Sequence, residues 1–132
     1  MTSPALQRWH SVARSNDASQ LPALIAPDAV FHSPVVHTPQ RGKPLVVAYL
    51  SAAFDVFFND SFRYVREVEG EQGAVLEFEV EIDGVSVNGV DMIRWNAEGL
   101  IVEFKVMLRP LKAIQLIHQK MGEMLARQQQ QQ

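Results

Sequence analysis

The 132-residue sequence contains no cysteine, which excludes disulfides, thiolate nucleophiles and cysteine metal sites. No stretch reaches the roughly 18 apolar residues that a membrane span needs. Positive charge is not in excess: 12 basic residues stand against 15 acidic ones, a net charge of −3, so the electrostatic footprint of a nucleic-acid binder is missing. There is no glycine-rich phosphate loop and no G-x-S-x-G elbow of the serine-hydrolase kind. His10, His32, His37 and His118 show neither H-x-x-x-H nor H-E-x-x-H spacing, and neither a metal nor a cofactor is expected. The opening MTSPALQRWH lacks the basic-then-apolar layout of a signal peptide, so the expected location is the cytoplasm.

What is present is an ordinary globular composition, 47% hydrophobic and 20% charged. The length suits one domain with a core and a small cavity. That domain is expected over residues 1–127, followed by a frayed glutamine tail at 128–132.

Ser3-Pro4 is a helix start, with serine as the cap and proline at the first helical position. Leu6, Trp9 and Ala13 then share one face of a helix over 4–15. Asp17 can cap a second, short helix that runs to Leu24. Pro27-Asp28 reads as a turn, AVFHSP as a short strand, and HTPQRGKP as a loop. LVVAYLSAAFDVFF is too long and too continuously apolar for a strand and is expected to be a buried helix. The second half alternates instead. FRYVREVEG reads as a strand. In AVLEFEVEIDG, Leu76, Phe78, Val80 and Ile82 should point inward, and Glu77, Glu79 and Glu81 outward. Asp83-Gly84 and NAEG read as hairpin turns around VSVNGVDMIRW, with LIVEFKVML as the last strand. Leu111, Ile114, Ile117, Met121 and Met124 then recur at helical spacing. Helices segregated from an antiparallel meander argue an α+β fold with helices covering one face of the sheet.

One residue breaks the pattern. Val85, Val87, Gly89, Asp91, Ile93 and Trp95 share a strand face, and Asp91 is the single carboxylate on it. It could be a structural acid satisfied by a neighbour. A bulge at Gly89 could instead turn it outward. Or it lines an apolar pocket, where desolvation would raise its pKa and let it keep a proton. A second candidate is His37, which has the parity of Phe31, Ser33 and Val35 and enters a loop expected near the pocket mouth. Histidine suits acid–base work near neutrality. A His37–Asp91 pair, with Ser33 positioning a ligand or water, would suit proton abstraction beside a carbonyl. The plain alternative for His37 is a loop histidine bonded to turn backbone. His32 has the opposite parity and reads as an exposed strand residue. Candidate pocket walls are Trp9, Phe31, Val35, Phe54 and Phe58 from the first half and Phe78, Ile93 and Phe104 from the second, although a core needs such residues too.

The element order, LIAPDAVFHSPV and DMIRWNAEGLIVEFKV resemble the nuclear transport factor 2-like superfamily, and within it the SnoaL-like polyketide cyclases and ketosteroid isomerases. The resemblance spans residues 4–109. Its most specific parts are D-A-V-F-x-x-P at 28–34 and D-x-x-R-[aromatic]-N-x-x-G at 91–99. It implies a curved antiparallel sheet wrapped by helices into a cone with an internal pocket. The C-terminal helix goes beyond the isomerase-like pattern, and its pliable apolar surface of Met121 and Met124 suits a lid over the cone's mouth or, the favoured reading, a dimer interface. In the isomerases, a tyrosine on the first helix and an aspartic acid on a late strand donate hydrogen bonds to an enolate oxygen, the acid being held neutral by its apolar site. The resemblance puts Trp9 and Asp91 at those positions. The isomerases' base, an aspartate just before the proline of the first strand, is replaced by Ser33, and a serine hydroxyl is no base near pH 7 without a partner. The implied function is therefore binding of a small apolar carbonyl, polyketide- or steroid-like molecule. Cofactor-free chemistry of the isomerase or cyclase type could accompany it, though not standard ketosteroid isomerisation. A non-catalytic ligand-binding or protein-interaction module of the same fold is the alternative. The resemblance also implies a homodimer through the sheet, whose outward face offers Val90, Met92 and Met107.

Overall fold

The computed structural model describes residues 3–130. Helix α1 (Pro4–Ser15) begins where expected: the Ser3 hydroxyl accepts from the Leu6 amide at 3.2 Å, and Pro4 needs no donor at that position. The chain leaves α1 through Asn16 in the left-handed region (φ 52°), a conformation asparagine tolerates. Asp17 then caps a 3-10 helix over Ala18–Leu24.

Strand β1 (Ile25–His32) absorbs the expected turn. Pro27 and Asp28 lie within it, at a place where its register against the last strand shifts between Ile25 and Val30. Proline has no amide hydrogen for a ladder, so a strand can keep one only at such an irregularity or at an edge. A two-residue strand β2 (Gln40–Arg41) follows, then α2 (Lys43–Phe57), whose Val46, Leu50, Phe54 and Phe57 are buried. The remaining strands are β3 (Arg63–Glu69), β4 (Gly73–Ile82), β5 (Val85–Trp95) and β6 (Ile101–Arg109), and helix α3 (Leu111–Gln130) ends the described chain.

The six strands form one curved sheet in the order β2-β1-β6-β5-β4-β3. The β3–β6 meander is antiparallel throughout, as the alternation requires. The departure from a wholly antiparallel sheet is β1, which pairs parallel to β6. The inner face of β4, Leu76, Phe78, Val80 and Ile82, is buried, and Glu79 and Glu81 are exposed. Pairing of β4 with β5 runs unbroken from Gly73–Arg94 to Ile82–Val85. No bulge occurs at Gly89, so Asp91 keeps inward parity between Leu76 and Val106. Gly89 has a packing reason instead: a Cβ there would meet Phe78 Cζ at 2.6 Å and the Met107 carbonyl oxygen at 2.8 Å.

The bulge of functional interest is in β3. Tyr64 pairs with Phe78, but Glu67, three residues on, pairs with Leu76, with a register shift between Tyr64 and Arg66. One extra residue in the strand puts both Tyr64 and Glu67 on the inner face, which simple alternation would have kept apart.

Trp9 occupies the centre of the core, with its ring centroid 5.8 Å from Phe54 and 4.9 Å from Phe104. Burying an aromatic or leucine side chain contributes about 1.5–3 kcal/mol, and this cluster joins α1, α2 and the sheet into one core. Helix α3 packs Ala113, Ile117 and Met121 inward and lies against α2, β5 and β6 of its own chain. It continues to Gln130, so Gln128 to Gln130 belong to the helix, while the last two residues of the expected tail lie outside the described residues. Lys120 Nζ contacts Asp83 Oδ2 at 2.6 Å and ties α3 to the β4–β5 turn. Among the described residues, no helix is long and apolar enough to cross a membrane.

Candidate functional site

Asp91 is the one buried charged or polar residue of the described chain, 7% exposed. It borders an apolar hollow of about 30 Å³ lined by Trp9, Phe54, Phe58, Phe62, Phe78 and Phe104 among others. Its partner is Tyr64, whose hydroxyl donates to Asp91 Oδ2 at 2.7 Å. The indole N–H of Trp9 in turn donates to the Tyr64 oxygen at 3.1 Å. Three residues from α1, β3 and β5 therefore form one chain of donors that ends on the carboxyl. Desolvation raises the Asp91 pKa from 3.8 to about 7, with the Tyr64 hydrogen bond acting in the opposite sense. Burial, reinforced by the neighbouring Asp91 charge, raises the Tyr64 phenol well above 10. Near neutral pH the site thus holds a neutral phenol and a carboxyl within reach of both protonation states.

The hollow accommodates about one water molecule. Pockets for drug-sized ligands run to about 300–1,000 Å³. Beside it lies a cleft of about 370 Å³, lined by His10, Arg14 and Asn16 of the α1 end, by Asn59 and Asp60 of the α2–β3 loop, and by Arg63 and Tyr64 of β3. Phe58 and Phe62 border both spaces. Phe62 stacks on Phe78 at 5.2 Å and meets Phe58 edge-on at 4.7 Å and Tyr64 at 5.1 Å. These rings are the wall between cleft and hollow. Their loop is held to β4: Asn59 Nδ2 donates to the Glu81 carbonyl at 2.9 Å, and the Glu81 amide donates to Ser61 Oγ at 2.9 Å.

The structure brings some expected site residues together and leaves others apart. Trp9, Phe54, Phe58, Phe78 and Phe104 line the hollow with Asp91. Phe31 is buried between Tyr49 and Phe104, and Ile93 is buried opposite Ala74 and Phe104, so both serve the core. Val35 is half-buried in the loop after β1, and its amide donates to Ser33 Oγ at 3.1 Å. Ser33 and His37 line a different hollow with Pro34, Lys105 and Met107, where His37 is exposed. The His37–Asp91 pair is therefore not formed: β1 ends at His32, and the residues after it no longer follow the strand alternation that placed His37 inward. His32 lies on the outer side, 3.2 Å from Glu103 Oε2.

The sequence alone does not single out Phe62, Tyr64 or His10, all of which line the site. Tyr64 shares its parity with Phe62, a signal available in FRYVREVEG but masked by the charged residues around it. His10 follows Trp9 on α1, and its ring meets Tyr64 edge-on at 5.4 Å between centroids. Its Nε2 is pressed against Glu67 Oε1 but off the line of a hydrogen bond, so this buried nitrogen has no hydrogen-bond partner among the described residues. Among the described residues, no group of three or more histidines and carboxylates is placed to hold a metal ion.

A SnoaL-like domain family matches residues 6–104. A steroid delta-isomerase from Pseudomonas aeruginosa is 39% identical and superposes with a TM-score of 0.87 over 92% of this chain and 89% of its own. A conserved bacterial protein with a cystatin-like fold, from Silicibacter pomeroyi, is 32% identical, with a TM-score of 0.83 over 91% of this chain and 84% of its own. An NTF2-like protein from Mesorhizobium loti, 24% identical, shares the fold, with a TM-score of 0.69 over 80% of this chain and 88% of its own. No curated protein matches the sequence.

Proposed function

This chain belongs to the SnoaL-like domain family, and from that premise we propose that it binds a small apolar carbonyl compound, with Asp91 as the proton-bearing partner of the carbonyl oxygen. The observation that carries this reading is the Trp9–Tyr64–Asp91 chain ending in an aromatic hollow. A carboxyl whose pKa stands at about 7 keeps its proton in half or more of the molecules at neutral pH and below. Tyr64 occupies Asp91 Oδ2, which leaves Oδ1 to donate into the hollow. A fixed donor in a dry site stabilises charge developing on a carbonyl oxygen more strongly than water does, because no solvent has to reorganise. The steroid delta-isomerase at 39% identity supports a ligand of this apolar ketone class.

Ligand entry requires Phe58 and Phe62 to swing aside, because the hollow holds only about 30 Å³ while they stand between it and the cleft. The alternative, a binding module without turnover, is favoured by one observation: Ser33, where the resemblance places the base, spends its hydroxyl on the Val35 amide and lines another hollow. The outer sheet face, with exposed Met107 and half-buried Val90 and Met92, is the proposed contact for a second copy of the chain. Sedimentation of wild type against Met107→Glu tests that contact, and an unchanged monomer mass for both would remove it.

The ligand reading is tested with β-tetralone, an apolar bicyclic ketone. Chemical-shift titration of wild type and Asp91→Asn should show saturable binding that weakens at least fivefold in the variant. Equal affinities would take Asp91 out of the site.

A further inference from the structure

We infer that His10 and Glu67 are the proton-accepting pair of this site, taking a proton from the carbon beside the carbonyl of a ketone whose oxygen reaches Asp91 in the hollow and whose neighbouring carbon faces the cleft once Phe58 and Phe62 have swung aside. The inference rests on the reading that a carbonyl compound binds beside Asp91.

Ser33 and His37 lie at another hollow, so a proton acceptor must come from the cleft or from the hollow itself. The hollow offers Asp91 alone, and a carboxyl that donates to the oxygen cannot also take the proton. The cleft offers His10 and Asp60. Asp60 is exposed on the loop, with nothing to hold it toward the hollow. His10 is half-buried, its ring edge-on to Tyr64, with a carboxylate already against Nε2. Rotation of the flexible Glu67 side chain turns that contact into a hydrogen bond. Glu67 would then hold Nε2–H and leave the lone pair on Nδ1, the arrangement by which a carboxylate fixes the tautomer of a working histidine. Nδ1 makes no hydrogen bond within the described protein and is not among its buried, unpartnered atoms, so it is open to a ligand. The other charged or titratable groups around His10 are Tyr64 and Glu69 on β3, Arg14 one turn along α1, and Arg63 and Asp60 across the cleft.

The sheet supplies the spacing. The β3 bulge places Glu67 opposite Leu76, which is opposite Asp91, so the two carboxylates share a row of the inner face. One strand lies between them, which sets their backbones about 10 Å apart. The row brings Glu67, and His10 against it, to the same inner face as Asp91, with Tyr64 touching both His10 and Asp91.

The step balances without a cofactor. Nδ1 of His10 takes the proton, and the C–H electron pair becomes a C=C bond. The carbonyl π pair moves onto oxygen, which accepts the hydrogen bond from protonated Asp91. Return of the proton from His10 to a carbon of the same conjugated system regenerates the ketone or gives its double-bond isomer.

Exchange of the α-hydrogens of β-tetralone for deuterium in D₂O, followed by proton NMR with the full chain, reads this step without knowledge of the natural substrate. Wild type should exchange faster than buffer. His10→Gln should lose at least tenfold in exchange while its affinity for β-tetralone stays within twofold, and Glu67→Gln should lose at least threefold. Added imidazole should restore exchange to His10→Ala, which a merely structural role would not allow. Undiminished exchange in His10→Gln overturns the pair, and so does a wild type that binds β-tetralone without exchanging it. A wild type that does not bind β-tetralone sinks the binding reading instead. Should the His10 variants fail to fold, the exposed Glu67→Gln carries the test, and full exchange there rejects the pair.

Discussion

Tyr64 and Asp91, 27 residues apart in sequence, are joined by a 2.7 Å hydrogen bond in which the phenol donates to the carboxyl. The bond crosses the inner face of the sheet from β3 to β5, over the intervening β4. It satisfies the one buried charged residue of the described chain, and it gives the Trp9 indole an oxygen to donate to. A buried carboxyl with no partner would cost about 1–3 kcal/mol more than this one does.

Tyr64→Phe removes that bond and nothing of the ring. Asp91 loses the interaction that lowers its pKa, so its carboxyl should titrate above about 7 in the variant, as followed by carbon-detected NMR of the side chain. The Trp9 N–H loses its acceptor at the same time. Urea unfolding should report a loss of about 1–3 kcal/mol. A variant as stable as wild type, with Asp91 titrating unchanged, would mean that the phenol does not hold the acid.

The pH dependence of stability follows from the sign of the Asp91 shift. The folded pKa of about 7 lies above the unfolded value near 3.8, so the folded state keeps a proton that the unfolded chain releases between them. Stability therefore falls as pH rises across that window, and the gap is worth on the order of 4 kcal/mol. Asp17, held low by Ser19, and Glu69, held low by the Ser3 amide, act in the opposite sense: their contribution is present above the ordinary carboxylate range and is lost as pH falls below it. Thermal melts from pH 4 to 8 should show Asp91→Asn losing less stability than wild type and exceeding it at pH 8. Parallel curves would place the ionisation elsewhere.

Much of this site was legible in the sequence, and the part that was not has a definite cause. Alternation along VSVNGVDMIRW puts Asp91 on the inner face, and unbroken β4–β5 pairing keeps it there. Alternation along FRYVREVEG cannot place Tyr64 and Glu67 on one face, because it assumes a strand without insertions. The bulge between Tyr64 and Arg66 breaks that assumption. His37 fails for a related reason: its inward parity assumes a strand that continues past His32, where β1 ends. Period-two reasoning holds only where the ladder does.

Gly89→Ala tests the same face of β5 by volume. The new methyl would lie 2.6 Å from Phe78 Cζ, 2.7 Å from Leu108 Cδ2 and 2.8 Å from the Met107 carbonyl oxygen. The side chains can shift, but the carbonyl belongs to the paired β6 backbone and cannot. A loss of about 1–3 kcal/mol is expected, read by urea unfolding, with the ring signals of Phe78 displaced in the spectrum. A neutral substitution would show that the sheet gives at this point.

Phe62→Ala addresses access. The ring stacks on Phe78 at 5.2 Å and stands between the 30 Å³ hollow and the 370 Å³ cleft. Its removal should cost about 2–4 kcal/mol, toward the lower end of that range because the side chain is half-buried. In exchange, the two spaces join into one pocket large enough for a bicyclic ketone. The thermal shift produced by β-tetralone should then be larger in Phe62→Ala than in wild type, and its affinity at least tenfold tighter, because the bound state no longer has to displace a packed ring. If affinity falls instead, Phe62 is a surface the ligand stacks on rather than a wall it must move. Phe58, which borders both spaces as well, would then be the ring that swings aside.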